Sequence, residues 1–197
     1  MKWFIIGAVL ALTGCGSDFT ENKYYQIPAG NKLELARTHQ YSCNHPVIWV
    51  EKVNLSDYLL GNGLVYQISK VKYNAATNNL WASPLDTQLK ETLIHNLTKK
   101  IPGGLITSEP LCKNYYNLIV YLRDFHGRFD GQVVISGEWL LRHKTNLIKN
   151  NFNITIPQTQ DNYSSLVEAL SIGWDIISKQ IANNIIKNNN INNKNIF

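Results

Sequence analysis

The residue with the most definite chemistry in this sequence is Cys15. It closes the tetrad Leu12-Thr13-Gly14-Cys15. A leucine, two small residues and a cysteine form the lipobox pattern, in which the thiol is diacylated, the chain is cut before the cysteine and the new amine is acylated. What precedes it agrees. Lys2 supplies a positive n-region and Trp3–Leu12 an apolar h-region of ten residues. That is too short for a bilayer, which takes roughly 20 apolar residues, and suits a secretory leader. Residues 1–14 are therefore expected to be removed as a lipoprotein signal peptide. The mature chain would then start at Cys15, carrying diacylglycerol and acyl groups such as palmitate. One acyl chain holds weakly, at about 0.8 kcal/mol per buried CH₂, whereas two or three on one residue anchor firmly. Gly16 bears on sorting: an aspartate there usually retains such a chain in the inner membrane, so Gly16 points to the outer membrane, facing the periplasm, with Asp18 close by.

The remaining reactive side chains carry less. Cys43 and Cys112 are two thiols in an oxidising compartment, where pairing is usual. A disulfide is the expected reading, two separate buried thiols the alternative. The long loop such a bridge closes limits its contribution to at most about 4 kcal/mol. The histidines, His39, His45, His95, His126 and His143, are scattered, and surface or loop positions are expected for them. No C-x-x-C pair or H-E-x-x-H run indicates a metal, and no cofactor is implied beyond the acyl groups on Cys15. Arg128 with Asp124 and Asp130 reads as a solvated hairpin cluster. There is no G-x-S-x-G elbow, no phosphate-cradling glycine loop and no dinucleotide fingerprint, so enzyme chemistry is not expected.

Composition sets the frame for these residues. Removing residues 1–14 from 197 leaves 183, enough for one domain. Hydrophobic content of 44% and charged content of 17% describe a globular chain. The formal charge is +5; without Lys2 it is +4, from 18 basic and 14 acidic residues. That excess suits anionic lipid or an acidic partner. It lacks the Lys/Arg cluster of a nucleic-acid surface.

The pattern along the chain predicts a single domain over residues 23–187. Residues 15–22 form a lipid-anchored tether ahead of it, and an asparagine-rich disordered tail follows at 188–197. Tyr24–Ile27 reads as a first short strand and residues 28–45 as a variable loop. Val47–Leu55 is β-branched and aromatic, a strand. Gly61-Asn62-Gly63 is turn chemistry, since all three tolerate φ > 0. Leu64–Tyr73 is expected as one strand and Asn74–Ala82 as a polar connection carrying Trp81. Ser83 is placed as N-cap, Pro84 at the first helical position and Asp86 in the first turn. Leu85, Leu89, Leu93 and Leu97 then form one apolar stripe, with Lys99 and Lys100 in the last turn and Pro102-Gly103-Gly104 as the stop. Leu105–Thr107, Tyr115–Phe125, Gln132–His143 and Leu147–Ile156 follow as strands. The last three are joined by an Asp130-Gly131 turn and a turn at Lys144–Asn146 into an antiparallel meander. From Asp161 a final helix aligns Tyr163, Leu166, Leu170, Trp174, Ile177, Ile181 and Ile185. Two amphipathic helices must bury their stripes on something, so the fold class is α/β (α+β): a mixed, mostly antiparallel sheet with two main helices packed on it, in the order β-β-α-β-β-β-β-α.

Several long runs carry a resemblance. Trp49–Tyr73 (W-V-E-K-V-N-L-S-D-Y-L-L-G-N-G-L-V-Y-Q-I-S-K-V-K-Y) is followed by N-N-L-W-A-S-P-L-D-T-Q-L. Phe125–Gly131 (F-H-G-R-F-D-G), Val134–Leu141 and Gln158–Asp161 continue it. Together with the lipobox they resemble lipoproteins of the paraquat-inducible protein C type, in the ABC-type transport auxiliary lipoprotein family, over most of residues 47–175. The resemblance implies an α/β fold and an outer-membrane lipoprotein that is an accessory subunit of an MCE-type intermembrane lipid transport system. Its partner would be an MCE-domain periplasmic protein whose tube reaches toward the outer membrane, and membrane integrity would depend on it. Cys43, Cys112, residues 28–46 and the tail are not associated with the family pattern.

Within that frame the loop Asp57, Tyr58, Leu59, Leu60 and Asn62 is the candidate partner-binding segment. It sets bulky apolar groups beside glycines, and loops on rigid scaffolds often carry binding. Two readings stay open: an exposed partner surface, or Tyr58, Leu59 and Leu60 folding back to cover the sheet edge. Trp81 is expected to pack near the first helical turn, Trp139 and Trp174 in the core. A ring of copies around a tube end is the expected self-association, closed cyclic symmetry being usual. The rival functions are a structural envelope lipoprotein bracing other machinery and a lipid-anchored periplasmic hydrolase.

Overall fold

The computed structural model describes residues 21–28, 43 and 45–194, with side chains as far as Lys187. Cys15, Gly16, His39, the leader and residues 195–197 lie outside them.

The strands are β1 (Lys23–Tyr25), β2 (Val47–Leu55), β3 (Gly63–Ser69), β4 (Lys72–Trp81), β5 (Leu105–Thr107), β6 (Tyr116–Arg128), β7 (Gln132–His143) and β8 (Asn146–Pro157). The helices are α1 (Leu85–Lys100) and α2 (Tyr163–Lys194), and a single 3-10 turn, Asp57–Leu59, follows β2. The strands form one eight-stranded mixed sheet in the order β1-β4-β3-β6-β2-β5, with β7 and β8 extending from β6. β6–β7 and β7–β8 are long antiparallel ladders, the predicted meander. β2 and β3 both pair β6 in parallel.

The helices lie side by side on the sheet. Leu85, Leu89, Leu93 and Leu97 are all buried, as are Leu166, Leu170, Trp174, Ile177, Ile181 and Ile185 of α2. Val133, Ile135, Trp139 and Leu141 rise from β7 into the same core. Each such side chain contributes about 1.5–3 kcal/mol when fully buried. The Trp174 indole N–H donates to the Leu89 carbonyl at 3.2 Å, tying α2 to α1.

Four local expectations are corrected. The run Leu64–Tyr73 is not one strand but breaks at Lys70–Val71, and Asn74–Trp81 is not a connection but the body of β4. The break escapes notice because Lys70 and Val71 are not turn formers, and β4 is polar because most of it stays exposed. Gly61 and Gly63 do not adopt positive φ. Gly63 is needed instead because a Cβ there would run into the Ala76 carbonyl oxygen of β4. Ser83 does not cap α1, which begins after Pro84 with no side-chain cap bond. Gln88, 2% exposed, instead ties down the segments ahead of the helix: its amide donates to the Ser83 carbonyl at 2.7 Å and accepts from the Ile27 N–H at 2.8 Å. Finally, the backbone of α2 stays helical to Lys194, into the asparagine tract where fraying is expected. Each asparagine costs well under 1 kcal/mol in a helix that is already nucleated. The Asp130-Gly131 turn is as expected, Gly131 having φ of 75°.

Candidate docking loop

The turn Asp57–Leu59 is positioned from both sides. Ser56 donates its N–H to the Leu122 carbonyl of β6 at 3.0 Å, and the Leu59 and Leu60 N–H groups close the turn onto Ser56 and Asp57. On the far side Trp81 donates its N–H to the Asn62 carbonyl at 2.7 Å. The two readings of this loop divide between its residues. Leu59 is core, 2% exposed, whereas Leu60 stands 62% exposed, and Asp57 and Asn62 are exposed beside it. Tyr58 does both: 40% of it is exposed, yet its hydroxyl is within hydrogen-bond distance of the Arg123 carbonyl (3.0 Å) and Asp124 Oδ1 (3.1 Å).

Asp124 reaches Tyr58 because of a bulge. The β6–β7 register slips between Leu122 and Asp124, so that Leu122 faces Gly137 and Asp124 faces Ser136. The extra residue, Arg123, lets Leu122 and Phe125 both bury on the helix side while Asp124 turns to the other face. Ser136, 1% exposed, donates to Asp124 Oδ2. Arg123 donates to Ser136 Oγ at 2.8 and 3.1 Å and to Asp124 Oδ2 at 3.2 Å. His126 is buried, not at the surface as expected, with Nε2 3.7 Å from Asp124 Oδ1. Tyr73 stands edge-on to His126 at 5.1 Å and beside Tyr58 at 5.2 Å. Burial pushes the Tyr58 phenol well above its ordinary range, and the Asp124 charge adds to this. Burial also pushes Asp124 up, but the bonds from Ser136, Arg123 and Tyr58 outweigh it and hold the carboxyl below its usual value.

Serine, aspartate and histidine thus meet without forming a nucleophile. The carboxylate sits between the other two. Ser136 donates its hydrogen bond to Asp124, and His126 Nδ1 is 2.8 Å from the Gly127 carbonyl, so no histidine base is poised on the serine. The cluster is a strut that holds Tyr58. Arg128 is separate: it pairs with Asp130 at 2.8 and 2.5 Å, and Asp124 is not part of that hairpin pair. Sequence reading missed Tyr73, Ser136 and the true partners of Asp124, because a one-residue bulge leaves no mark in the hydrophobic pattern.

The other predicted residues fall as follows. Cys43 and Cys112 are joined in a disulfide, Cα–Cα 5.9 Å, across a separation of 69 residues. Trp81, Trp139 and Trp174 are buried, Trp81 beside Phe125 at 6.3 Å. His45 is exposed, His95 half-buried on α1, and His143 stacks on Tyr116 at 4.1 Å, where burial and Lys144 lower its pKa. Among the described residues no three His, Cys, Asp or Glu side chains could hold a metal ion, and no helix is long and apolar enough to cross a membrane.

A mixed sheet backed by two helices carries this loop, and the polar contacts that brace it include no nucleophile–base pair among the described residues. The kinship is specific. The chain belongs to the ABC-type transport auxiliary lipoprotein component family, which matches residues 25–182. It is 44% identical over 184 residues to the intermembrane transport lipoprotein PqiC of Escherichia coli (strain K12), covering 93% of this chain and 97% of that one, and equally to its Shigella flexneri counterpart. A crystal structure of an uncharacterized protein is 44% identical and superposes with a TM-score of 0.74, covering 84% of this chain and 99% of the other. A Xanthomonas campestris protein of known crystal structure, 13% identical, shares the fold with a TM-score of 0.58 over 70% of this chain and 81% of its own.

Proposed function

We propose that this chain is an outer-membrane lipoprotein accessory subunit of an MCE-type intermembrane lipid transport system. It is cleaved before Cys15, acylated there, and sorted outward by Gly16. Its domain docks the periplasmic MCE tube, supporting membrane integrity, with several copies ringed around the tube end. The observation that carries this reading is identity at 44% over nearly the whole of an intermembrane transport lipoprotein. The half-buried, half-offered loop supports the finer part: Leu60 is exposed while Leu59 and the Tyr58 hydroxyl fix its direction. An exposed apolar side chain on a braced turn is what a partner pocket can take up.

Capture of the MCE protein of the same system by the acylated chain is the test. Leu60→Ala should weaken capture with no loss of stability, and Tyr58→Ala should weaken it with a small loss. Full capture by both stable variants removes the loop from the interface. Failure of the wild-type chain to capture or crosslink any MCE protein overturns the docking role. Mass spectrometry finding an unacylated Cys15 overturns the anchor.

A further inference from the structure

One end of the sheet carries an unexplained surface. β3 and β4 form a hairpin whose tip is Lys70–Val71, with Lys72 opening β4. Val71 is 89% exposed, and lysines flank it on both sides. In the parallel β3–β6 register Tyr66 lies opposite Gly127 and Gln67 opposite Arg128, so the next residues in line are Ile68 and Phe129. These are exposed too, at 44% and 50%. Three large apolar side chains thus project at one end of the molecule beside Lys70 and Lys72. Arg128 is there with its partner Asp130, and Asp161 opens the approach to α2.

The chain approaches its first strand from this side, since β1 runs parallel to β4, and joins the sheet further along, with Lys23 opposite Asn79 and Tyr24 opposite Leu80, which faces Gly63. Lys23 lines a cleft of about 980 Å³ with Tyr66 and the Gln158–Ser165 segment, and the Gln158 N–H donates to the Gly131 carbonyl in the β6–β7 turn. Fully extended, the residues from Cys15 to Glu21 span at most roughly 20 Å. A lipid on Cys15 is therefore within reach of the hairpin end of the domain, whereas Leu147 lies about 35–40 Å away along the twelve-residue β7.

We infer that the β3–β4 hairpin tip, with Phe129, is a second membrane contact. Val71 and Ile68 enter the headgroup layer of an anionic phospholipid bilayer, and Lys70 and Lys72 lie against its phosphates. Exposed apolar side chains ringed by lysine are the composition of an interfacial anchor. Each lysine near an anionic surface strengthens partitioning by about fivefold. The acyl chains alone hold the protein but leave the domain free to turn on its tether; the hairpin fixes which end faces the lipid. This inference rests on the proposed acylation of Cys15.

The test uses the full acylated chain in vesicles of phosphatidylethanolamine and phosphatidylglycerol with brominated acyl chains. With Cys43 and Cys112 joined and Cys15 blocked by its lipid, Val71→Cys supplies the one free thiol, and an environment-sensitive dye is attached to it. Val71 packs on little, so the label leaves the core intact. The dye at 71 should be quenched several-fold more than the same dye on Leu147→Cys, and the excess should fall when phosphatidylglycerol is omitted or in the Lys70→Glu/Lys72→Glu variant. Equal quenching at 71 and 147 in acylated, vesicle-bound protein overturns the hairpin contact and leaves the anchor standing. Quenching at 71 that disappears when the MCE protein is added overturns it as well, since the tip then belongs to the partner. Native protein recovered without acyl groups on Cys15 overturns the anchor and, with it, this inference.

Discussion

The bond between Tyr58 and Asp124 makes the sharpest prediction about how the loop is held. Tyr58→Phe removes the hydroxyl and keeps the ring against Tyr73 and His126. A hydrogen bond to an ionised carboxylate contributes about 1.5–3 kcal/mol. Tyr58 is 40% exposed, so water competes for both partners, and about 1 kcal/mol is the loss expected once solvent is allowed for. Asp124→Asn takes the charge away from Ser136, Arg123 and Tyr58 together. The Arg123 side chain is 67% exposed and adds little. The buried Ser136 hydroxyl keeps an acceptor in the asparagine, which sets the cost at about 1.5–2 kcal/mol. Because the two residues share a bond, their effects should fall short of additivity by about 0.5–1 kcal/mol. Urea unfolding of wild type, both single variants and the double variant measures all three quantities. Strict additivity would refute the argument and leave the aromatic contacts as the only brace.

Acid gives an independent check on the same group. The folded state holds the Asp124 carboxyl below its ordinary value, so the unfolded chain takes up its proton first as pH falls. The stabilisation by ionised Asp124 is fully present above the ordinary carboxylate range and is lost as pH drops through the lower, folded value. The stability gap between wild type and Asp124→Asn should therefore be flat from about pH 7 to about pH 5 and shrink below about pH 4. A gap that is constant down to the acid transition would mean that the carboxylate is not the acceptor that matters.

Three further substitutions test the scaffold. Gln88→Leu leaves the Ile27 N–H and the Ser83 carbonyl without their side-chain partner and should cost about 2–4 kcal/mol by urea melt, with faster amide exchange at Ile27; no change would show that water replaces the amide. Cys43→Ser should lower stability by up to about 4 kcal/mol under non-reducing conditions, and wild type in reductant should match it; a smaller effect in reductant would argue against the disulfide. Gly63→Ala forces its Cβ against the Ala76 carbonyl and should destabilise by about 1–3 kcal/mol, with altered amide signals confined to β3 and β4.

The parts of this fold legible in the sequence were those with strong periodicity. The four leucines of α1 and the heptad-like run of α2 could only be buried helical faces, and Val133, Ile135, Trp139 and Leu141 could only be one side of a strand. Punctuation failed where it was chemically silent. The turn at Lys70–Val71 contains no glycine, proline or asparagine, so one expected strand concealed a hairpin. The glycine pair around Asn62 suggested positive φ, but Gly63 serves a close backbone approach, which composition does not distinguish. The candidate loop was visible from its apolar residues. Its support was not, because the Arg123 bulge displaces Asp124 by one position relative to any alternating pattern, and that displacement brings the carboxylate to Tyr58 and Ser136.

Topology then separates two surfaces. β3 begins at Gly63, beside the braced loop, and ends at Ser69, beside the hairpin tip; at about 3.3 Å per residue the strand puts roughly 20 Å between them. β6 runs parallel to it and ends at Phe129's neighbour Arg128, so both strands finish on the side from which the N-terminal segment approaches β1. On the proposed reading, a lipid on Cys15 and a hairpin tip against the bilayer would carry Leu60 away from the membrane, toward a partner arriving across the periplasm. A tether alone would let the domain roll and present Leu60 in any direction. Docking at a tube end, as proposed, would require a fixed direction, and an anchor, a basic apolar hairpin and a loop braced through Tyr58 would together supply it.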